Sequence, residues 1–483
     1  MATVSLDSTG FEELARRVRG TVLTPTDDGY DSARRIWNGM IDRRPAAVVR
    51  CTGSADVSEA VRFARAQQLP IAVRGGGHNV AGSSVCDDGL VIDLAPMRSV
   101  RVDPVRKVAR VGGGALLGDI DHEAQAFGLA TPVGAVSETG IGGLALHGGF
   151  GFYMRKYGLS ADNLLSADVV TADGSIITAD ESNHPDLLWA LKGGGGNFGV
   201  VTSFEFRLHR LGPKVWFVIT FYPLSAEADI FRFFRSYMPG APDELMAITV
   251  CENAPAKEFI PENYRGQPVW IVAGCWCGPL AEGDRATQPL RSIATPVTDL
   301  SGPMPYVEAQ RVFDPDYPKG DRYYWKSLHL DDLSDDIIQL ACEASEARPT
   351  PRTGVVLWAL GGEMGRVPPD ATAYYHRDAP FLLSVEANDD DPAGDETNIA
   401  WVRHWYEKVA RYTRRGTYLN FGGFWEGGEE LLAQSFGPNY ARLKEVKARY
   451  DPENVFGHTL RIPVRSMRPT AEPMEPGAAA TPS

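Results

Sequence analysis

Apolar residues recur at two different spacings along the first 212 residues, and the spacing distinguishes helices from strands. Val57, Ala60, Val61 and Ala64 form one helical stripe, and the helix begins at a predicted capping box, Asp56 to Glu59. Short apolar runs of strand type follow, at 70–73, 90–94, 100–102, 108–111, 166–172 and 200–208, with a further helix at 116–126. Because strands and helices interleave, the pattern predicts a mixed α and β fold.

The length and composition of the predicted strands change near residue 213. Longer strands rich in Trp, Tyr and Phe begin there, such as 215–222 and 268–277, and alternate with helical stretches. At 483 residues the chain is too long for one ordinary hydrophobic core, so at least two domains are expected. The predicted boundaries are 1–212, 213–435, a C-terminal segment 436–465 that returns to the first domain, and a disordered tail 466–483 rich in Pro, Ala and Ser.

Three glycine clusters lie within the first 200 residues, at 75–77, 140–151 and 193–199. Consecutive glycines let several backbone N–H groups approach one oxyanion, so the clusters predict a large phosphate-bearing ligand. Tight turns would explain any one cluster, but they explain three poorly. Residues 194–199 match the dinucleotide fingerprint, yet they precede a strand and open no helix, which argues against a Rossmann NAD site.

His78 follows the first glycine cluster directly. An imidazole in that place would be held beside the ligand, whereas an isolated histidine is usually structural or exposed. The residues alone leave these two interpretations of His78 open.

Composition excludes several functional classes. The formal net charge is -14, which disfavours nucleic acid and anionic lipid as partners. No apolar run approaches the roughly 18 residues of a membrane span, and the N-terminus lacks the pattern of a secretory signal, so we expect a cytoplasmic protein without a membrane partner. Six dispersed cysteines predict buried free thiols rather than disulfides or a metal site.

The motifs together resemble one family. They lie at 74–82, 140–143, 149–151, 155–163, 189–199 and 448–456, and nearly the whole chain except the tail takes part. The chain is similar to the berberine bridge enzyme-like branch of the vanillyl-alcohol-oxidase flavoproteins, with bacterial antibiotic-biosynthesis members as its nearest branch. The resemblance implies an α+β fold with a PCMH-type, two-subdomain FAD-binding domain and an inserted substrate domain of antiparallel sheet and helices.

The same resemblance implies that FAD is bound covalently through His78. Many relatives have a second tether from a cysteine, but Val136 stands in its place here, so a single tether is expected. The cofactor-binding residues implied are Arg74, Gly75, Gly76, Gly77, His78, Asn79, Gly82, Thr139, Gly140, Gly142, Gly143, Gly149, Gly151, Asn163, Gly199 and Val201.

The catalytic residues implied are Tyr418 and Asn420, in a motif that in relatives forms a strand. Alternation would place both side chains on one face, with Tyr418 as the proton acceptor. Relatives supply a partner carboxylate at a position that is Val356 here. Glu138 and His147 also depart from the family pattern, and the alternatives of sequence drift and a relocated acid–base pair stay open. Further departures are Val250 and the run 459–461.

The predicted function is therefore an oxidase that transfers two electrons from a small secondary metabolite to O2. The alternatives are a flavin-dependent oxygenase or cyclase of an antibiotic pathway, and a redox-inert flavoprotein that binds a metabolite. Aromatic residues of the inserted domain would suit a flat aromatic or polyketide substrate, although core packing explains most of them equally well. They are Tyr323, Tyr324, Trp325, Trp358 and Trp425.

Overall fold

The computed structural model describes residues 8–458 and 462–464. A small mixed sheet lies at the N-terminal end, where β1 pairs antiparallel to β2, and β2 and β3 flank β4 in parallel. Its strands are β1 (Thr21–Leu23), β2 (Ala47–Arg50), β3 (Ile71–Arg74) and β4 (Leu90–Asp93). The predicted stripe is confirmed, since Val57, Ala60, Val61 and Ala64 are buried in the core of this sheet.

The helix that carries this stripe begins earlier than predicted. It runs over Ser54–Ala66, so Asp56 lies inside the first turn and does not open a capping box. The carboxylate of Asp56 instead accepts hydrogen bonds from the backbone N–H groups of Arg19, Gly20 and Thr52. These contacts come from a neighbouring segment, which a local pattern does not reveal.

A second, antiparallel sheet completes the N-terminal half, with strand order β5-β6-β10-β8-β9. Its strands are β5 (Val100–Asp103), β6 (Val108–Gly112), β8 (Leu164–Val170), β9 (Ile176–Ala179) and β10 (Val200–Arg207), and a separate pair is formed by β7 (Leu129–Ala130) and β11 (His209–Arg210). The apolar runs predicted as strands in this half are all strands, displaced by one or two residues.

The third sheet is the largest and is antiparallel throughout, with strand order β15-β12-β14-β13-β18-β19-β17 and with β16 paired to β12. Its strands are β12 (Lys214–Pro223), β13 (Leu245–Asn253), β14 (Pro268–Trp276), β15 (Thr298–Asp299), β16 (Gly302–Pro305), β17 (Arg322–Leu330), β18 (Gly354–Ala359) and β19 (Phe381–Asp389). One face packs against helices, and the other faces the N-terminal half. Buried residues therefore alternate between two cores along each strand.

Fifteen α-helices occur in the part of the chain that the structure describes. They are α1 (Ser8–Arg17), α2 (Tyr30–Arg34), α3 (Ser54–Ala66), α4 (Leu117–Gln125), α5 (Ile141–Leu146), α6 (Met154–Tyr157), α7 (Pro185–Leu191), α8 (Glu227–Tyr237), α9 (Gly283–Arg291), α10 (Tyr306–Ala309), α11 (Asp335–Glu346), α12 (Glu363–Arg366), α13 (Asp395–Val409), α14 (Gly428–Phe436) and α15 (Asn439–Tyr450). Over the described residues, no helix has both the length and the apolarity to cross a bilayer.

The C-terminal helix α15 packs in the core of the second sheet through Leu443 and Val446. Leu419 and Leu432 belong to the same core, although they precede the predicted boundary at residue 435. The division of the chain into domains therefore stays a prediction, with its return point open. The predicted tail 466–483 and the departure at 459–461 lie outside the described residues.

Candidate active site

One large cavity lies between the N-terminal half and the third sheet. Its empty volume is about 1940 Å³, open solvent at the mouth included. The glycine clusters line one wall, and β13, β17, β18 and β19 line the other.

The glycine wall brings two backbone segments into direct contact. A Cβ atom added to Gly76 would lie 2.4 Å from the backbone nitrogen of Gly140, and one added to Gly140 would lie 2.3 Å from that of Gly76. Gly77 has a φ of 70°, a conformation that favours glycine. The first two clusters therefore form one continuous backbone cradle, which is the kind of surface that binds pyrophosphate.

His78 lies at the end of this cradle and is held by stacked rings. Its imidazole stacks on Trp37 with centroids 3.9 Å apart, and Trp37 stacks in turn on Tyr323 of β17 at 3.7 Å. Burial lowers the pKa of His78 to about 4, so the ring is neutral at physiological pH. Its Nε2 atom is buried and has no hydrogen-bond partner among the described residues. A neutral, oriented imidazole beside a phosphate cradle fits a covalently held FAD.

Most of the predicted cofactor residues line this cavity. They are Gly75, Gly76, Gly77, His78, Asn79, Thr139, Gly140, Gly142, Gly143, Gly199 and Val201. Val136 also lines it, at the position where relatives have the second tethering cysteine. The fit of these residues to FAD rests on their common surface, while their individual contacts with the cofactor stay predictions.

Five other predicted cofactor residues do not line the cavity. Arg74 pairs with Asp93, and Asn163 donates to the carbonyls of Tyr157 and Leu159 behind the wall. The three glycines pack closely against other parts of the chain, so they shape the wall from behind; they are Gly82, Gly149 and Gly151. For these five positions, the contact with the cofactor stays a prediction.

Tyr418 and Asn420 meet at the junction of the two walls, but they do not belong to a strand. The predicted strand is wrong, because Leu419–Phe421 forms a 3₁₀ helix closed by a hydrogen bond of 2.8 Å from the Phe421 N–H to the Tyr418 carbonyl. The turn still brings the two side chains together. The Asn420 amide Nδ2 donates to the Tyr418 hydroxyl oxygen at 2.8 Å.

The hydroxyl oxygen of Tyr418 is surrounded by donors. Besides Asn420, the backbone N–H of Phe150 donates to it at 3.1 Å, and the backbone N–H of Gly149 is a third donor. The phenol ring also stacks on Phe150 with centroids 4.0 Å apart. Burial raises the pKa of Tyr418 to about 12, and the three donors oppose that rise because they stabilise the phenolate.

The two titratable groups proposed as a relocated acid–base pair, Glu138 and His147, lie in different surroundings. Glu138 is exposed and lines a shallow surface depression with Arg98 and Arg311, so its predicted place in the active site is wrong. His147 does line the cavity: its Nδ1 lies 3.0 Å from the Gly143 carbonyl, and its Nε2 has no partner among the described residues. Burial lowers the pKa of His147.

The wall formed by the third sheet carries two carboxylates, Glu252 on β13 and Glu386 on β19. Sequence reasoning missed Glu386. A glutamate inside the mostly apolar run 381–387 is the signal that could have found it. Val250 and Val356 both line the cavity, and Glu386 lies on the neighbouring strand β19, opposite Gly354.

Comparison with known proteins agrees with this geometry. The sequence profile described as FAD binding domain matches residues 45–180, and the one described as berberine and berberine like matches residues 417–463. The (R)-6-hydroxynicotine oxidase of Paenarthrobacter nicotinovorans is 32% identical over 473 residues, covering 92% of this chain and 97% of that protein.

Two solved structures show the same architecture. The crystal structure of 6-hydroxy-D-nicotine oxidase from Arthrobacter nicotinovorans has a TM-score of 0.83 at 30% identity and covers 93% of this chain and 98% of its own. Glucooligosaccharide oxidase from Acremonium strictum, described with a cysteinyl and histidyl FAD, has a TM-score of 0.84 at 23% identity over 95% of this chain and 100% of its own, a likeness of fold alone.

Cradle, cavity and sequence matches together define an FAD-dependent oxidoreductase. The chain belongs to the berberine bridge enzyme-like family of PCMH-type FAD-linked oxidases.

Proposed function

We propose that this enzyme is an oxidase in which His78 carries FAD covalently and O2 accepts two electrons taken from a small secondary metabolite. The observation that carries the proposal is that the glycine cradle, Tyr418 and His78, whose Nε2 has no hydrogen-bond partner among the described residues, all line one cavity. When bound, FAD supplies an acceptor for hydride that O2 can reoxidise. Overall, a CH–OH or CH–NH group becomes C=O or C=N while O2 becomes H2O2.

In this proposal Tyr418 accepts the proton from the substrate hydroxyl or amine. The Asn420 amide and the backbone N–H groups of Gly149 and Phe150 stabilise the negative charge on the phenol oxygen, and they hold the oxygen in one position. His147, neutral because of burial, is an additional polar group that can orient the substrate.

The covalent bond is tested by denaturing the purified protein and illuminating the gel. The wild type should give a fluorescent band, and His78→Ala should give none, because its flavin would be held only by the cradle. His122→Ala, which changes an exposed histidine, is the matched control and should keep the fluorescence. Release of free flavin from the denatured wild type would contradict the tether.

A second candidate, an oxygenase or cyclase, is favoured by Val356, since the wall lacks a carboxylate at that position. Measuring O2 uptake and H2O2 release during turnover separates the two. An oxidase releases one H2O2 for each O2 consumed, an oxygenase places an O2-derived atom in the product, and a cyclase without net redox change consumes no O2.

A further inference from the structure

The carboxylates of the cavity lie in one row across the third sheet. Glu386 on β19 is directly opposite Gly354 on β18 and Trp325 on β17. Val250 on β13 is opposite Val356 on β18. Because the two strands are antiparallel, Glu252, two residues after Val250, is level with Gly354, two residues before Val356. Because successive even positions share a face, both glutamates point to the cavity side.

Gly354 separates the two glutamate strands and contributes no side chain. Neighbouring strands are about 4.8 Å apart, so roughly 10 Å separates the backbones that carry Glu252 and Glu386. Nothing projects from the strand between them. The two carboxylates can therefore approach one group from opposite sides.

Neither glutamate has a cationic partner in the described residues, because no Lys or Arg nitrogen lies within 4.0 Å of either carboxylate. Glu386 is only 4% exposed. It accepts a long hydrogen bond of 3.5 Å from the Tyr317 hydroxyl. A carboxylate that is buried to this extent is costly unless a cation completes its surroundings.

Two aromatic rings lie beside the carboxylates. Trp325 lies beside Glu386 in the sheet, and Tyr317 meets the Trp325 indole edge-on with centroids 5.5 Å apart. Both rings line the cavity. Ring faces beside carboxylates form the surroundings that bind alkylammonium groups, through cation–π attraction and charge.

We infer that the substrate carries a cationic nitrogen, which Glu252 and Glu386 bind across Gly354 against Trp325 and Tyr317. This assignment rests on the proposed function, because it places the cation in the substrate part of the flavin cavity. The Tyr418 N–H donates to Ser327, which is opposite Ser384, one row away from the glutamates. The cation therefore lies roughly 7 Å along the strands from the row that positions Tyr418.

The charges around Glu252 and Glu386 should make the affinity for a cation depend on pH. Burial and the charges of Asp316 and Glu386 raise the pKa of Glu252 to about 8, against the opposing effect of Arg348 and Arg352. Burial raises the pKa of Glu386 to about 7. A carboxyl group is charged only above its pKa, so affinity for a permanent cation should fall as the pH decreases from 8 to 6. A bound cation should also promote release of a proton.

The test uses phenyltrimethylammonium, which is permanently charged and has no N–H, and its neutral isostere tert-butylbenzene. Each is titrated into the flavin-loaded protein and followed by tryptophan fluorescence and flavin absorbance. The wild type should bind the cation at least about 10-fold more tightly than the isostere, and Glu252→Gln or Glu386→Gln should each weaken it roughly 10- to 100-fold. Glu308→Gln, at an exposed position, should leave the affinity unchanged.

Three outcomes would overturn the inference: equal binding of the two ligands, binding of neither, or wild-type affinity in both glutamine variants. Because each variant is checked for bound flavin and for its melting temperature, a folding defect is recognised, and the pH profile of the wild type tests the inference without any substitution. Protein that binds the cation but contains no flavin would contradict the proposed function and leave the cation site intact.

Discussion

The wall of the cavity that holds the glycine clusters is made mostly of backbone, whereas the wall formed by β13, β17, β18 and β19 is made of side chains. Backbone surfaces depend on glycine at fixed positions, so their sequence pattern changes little while the ligand stays the same. A sheet surface keeps its fold with any alternating sequence of suitable size, so its chemistry can change freely. The first wall therefore identifies the cofactor, and the second determines the substrate.

The largest effect is expected from adding one methyl group to the backbone wall. In Gly140→Ala the new Cβ would lie 2.3 Å from the Gly76 nitrogen, so the two segments must separate and the cradle should lose its flavin together with all activity. The visible absorbance of the purified protein measures flavin content. Gly53→Ala, with no atom within 4 Å of the new Cβ, should retain both. Normal flavin content in Gly140→Ala would show that the cradle is more adaptable than this contact implies.

An intermediate effect is expected at the junction of the walls. Tyr418→Phe leaves both walls in place, so it should retain FAD while kcat decreases roughly 10²- to 10⁴-fold, as for loss of a general base. Because burial raises the pKa of Tyr418 to about 12, wild-type kcat should increase with pH through the alkaline range, and this increase should be absent in the variant. Tyr412→Phe, at an exposed ring, serves as control. Turnover of Tyr418→Phe at the wild-type rate would remove Tyr418 as the base.

The smallest effect concerns a contact that joins the two halves beside the cavity. Buried Asp121 on α4 accepts a hydrogen bond of 2.8 Å from the Tyr306 hydroxyl on α10, and burial raises its pKa to about 7. The folded state thus binds this proton more tightly than the unfolded chain, whose aspartates have pKa values near 3.9. The resulting stability is fully present below about pH 4 and is lost as the pH rises through 7.

Asp121→Asn cannot ionise, so it should be more stable than the wild type at pH 8 by about 1–3 kcal/mol, and it should lose that advantage at pH 4.5. Thermal unfolding across this pH range measures the difference. Asp332→Asn, at an exposed position, controls for the general loss of one negative charge. Parallel pH profiles for wild type and Asp121→Asn would contradict the assignment of this proton to Asp121.

Sequence reasoning succeeded where the pattern is local or tied to glycine. The strands flanking the clusters, the stripe on α3 and the place of His78 beside the cradle all follow from residues that are close in the chain. It failed where the position of a side chain depends on segments that are distant in the chain. Glu138 is next to a cavity residue, Thr139, yet its side chain faces solvent, and a position number cannot reveal that orientation.

The substrate wall was the least predictable part. Glu252 and Glu386 are far apart in the chain and meet only because β18 pairs with both β13 and β19. That pairing results from the register of a whole sheet, which the alternation within single strands does not determine. Tyr418 and Asn420 were correctly expected to face the same way, although a turn rather than a strand brings them together.

The ring stack of His78, Trp37 and Tyr323 limits the exchange of one part of this enzyme for the corresponding part of another. Every glycine of the cradle belongs to the first 212 residues, and so do His78 and Trp37, yet Tyr323, which backs the stack, is supplied by β17 of the third sheet. Asn38 fastens the same junction, because its amide bonds to the carbonyls of both Val80 and Tyr323. The contiguous glycine motifs are therefore not a portable unit: recombining them with another partner domain would require that domain to bring its own ring and backbone to the Trp37 side of His78.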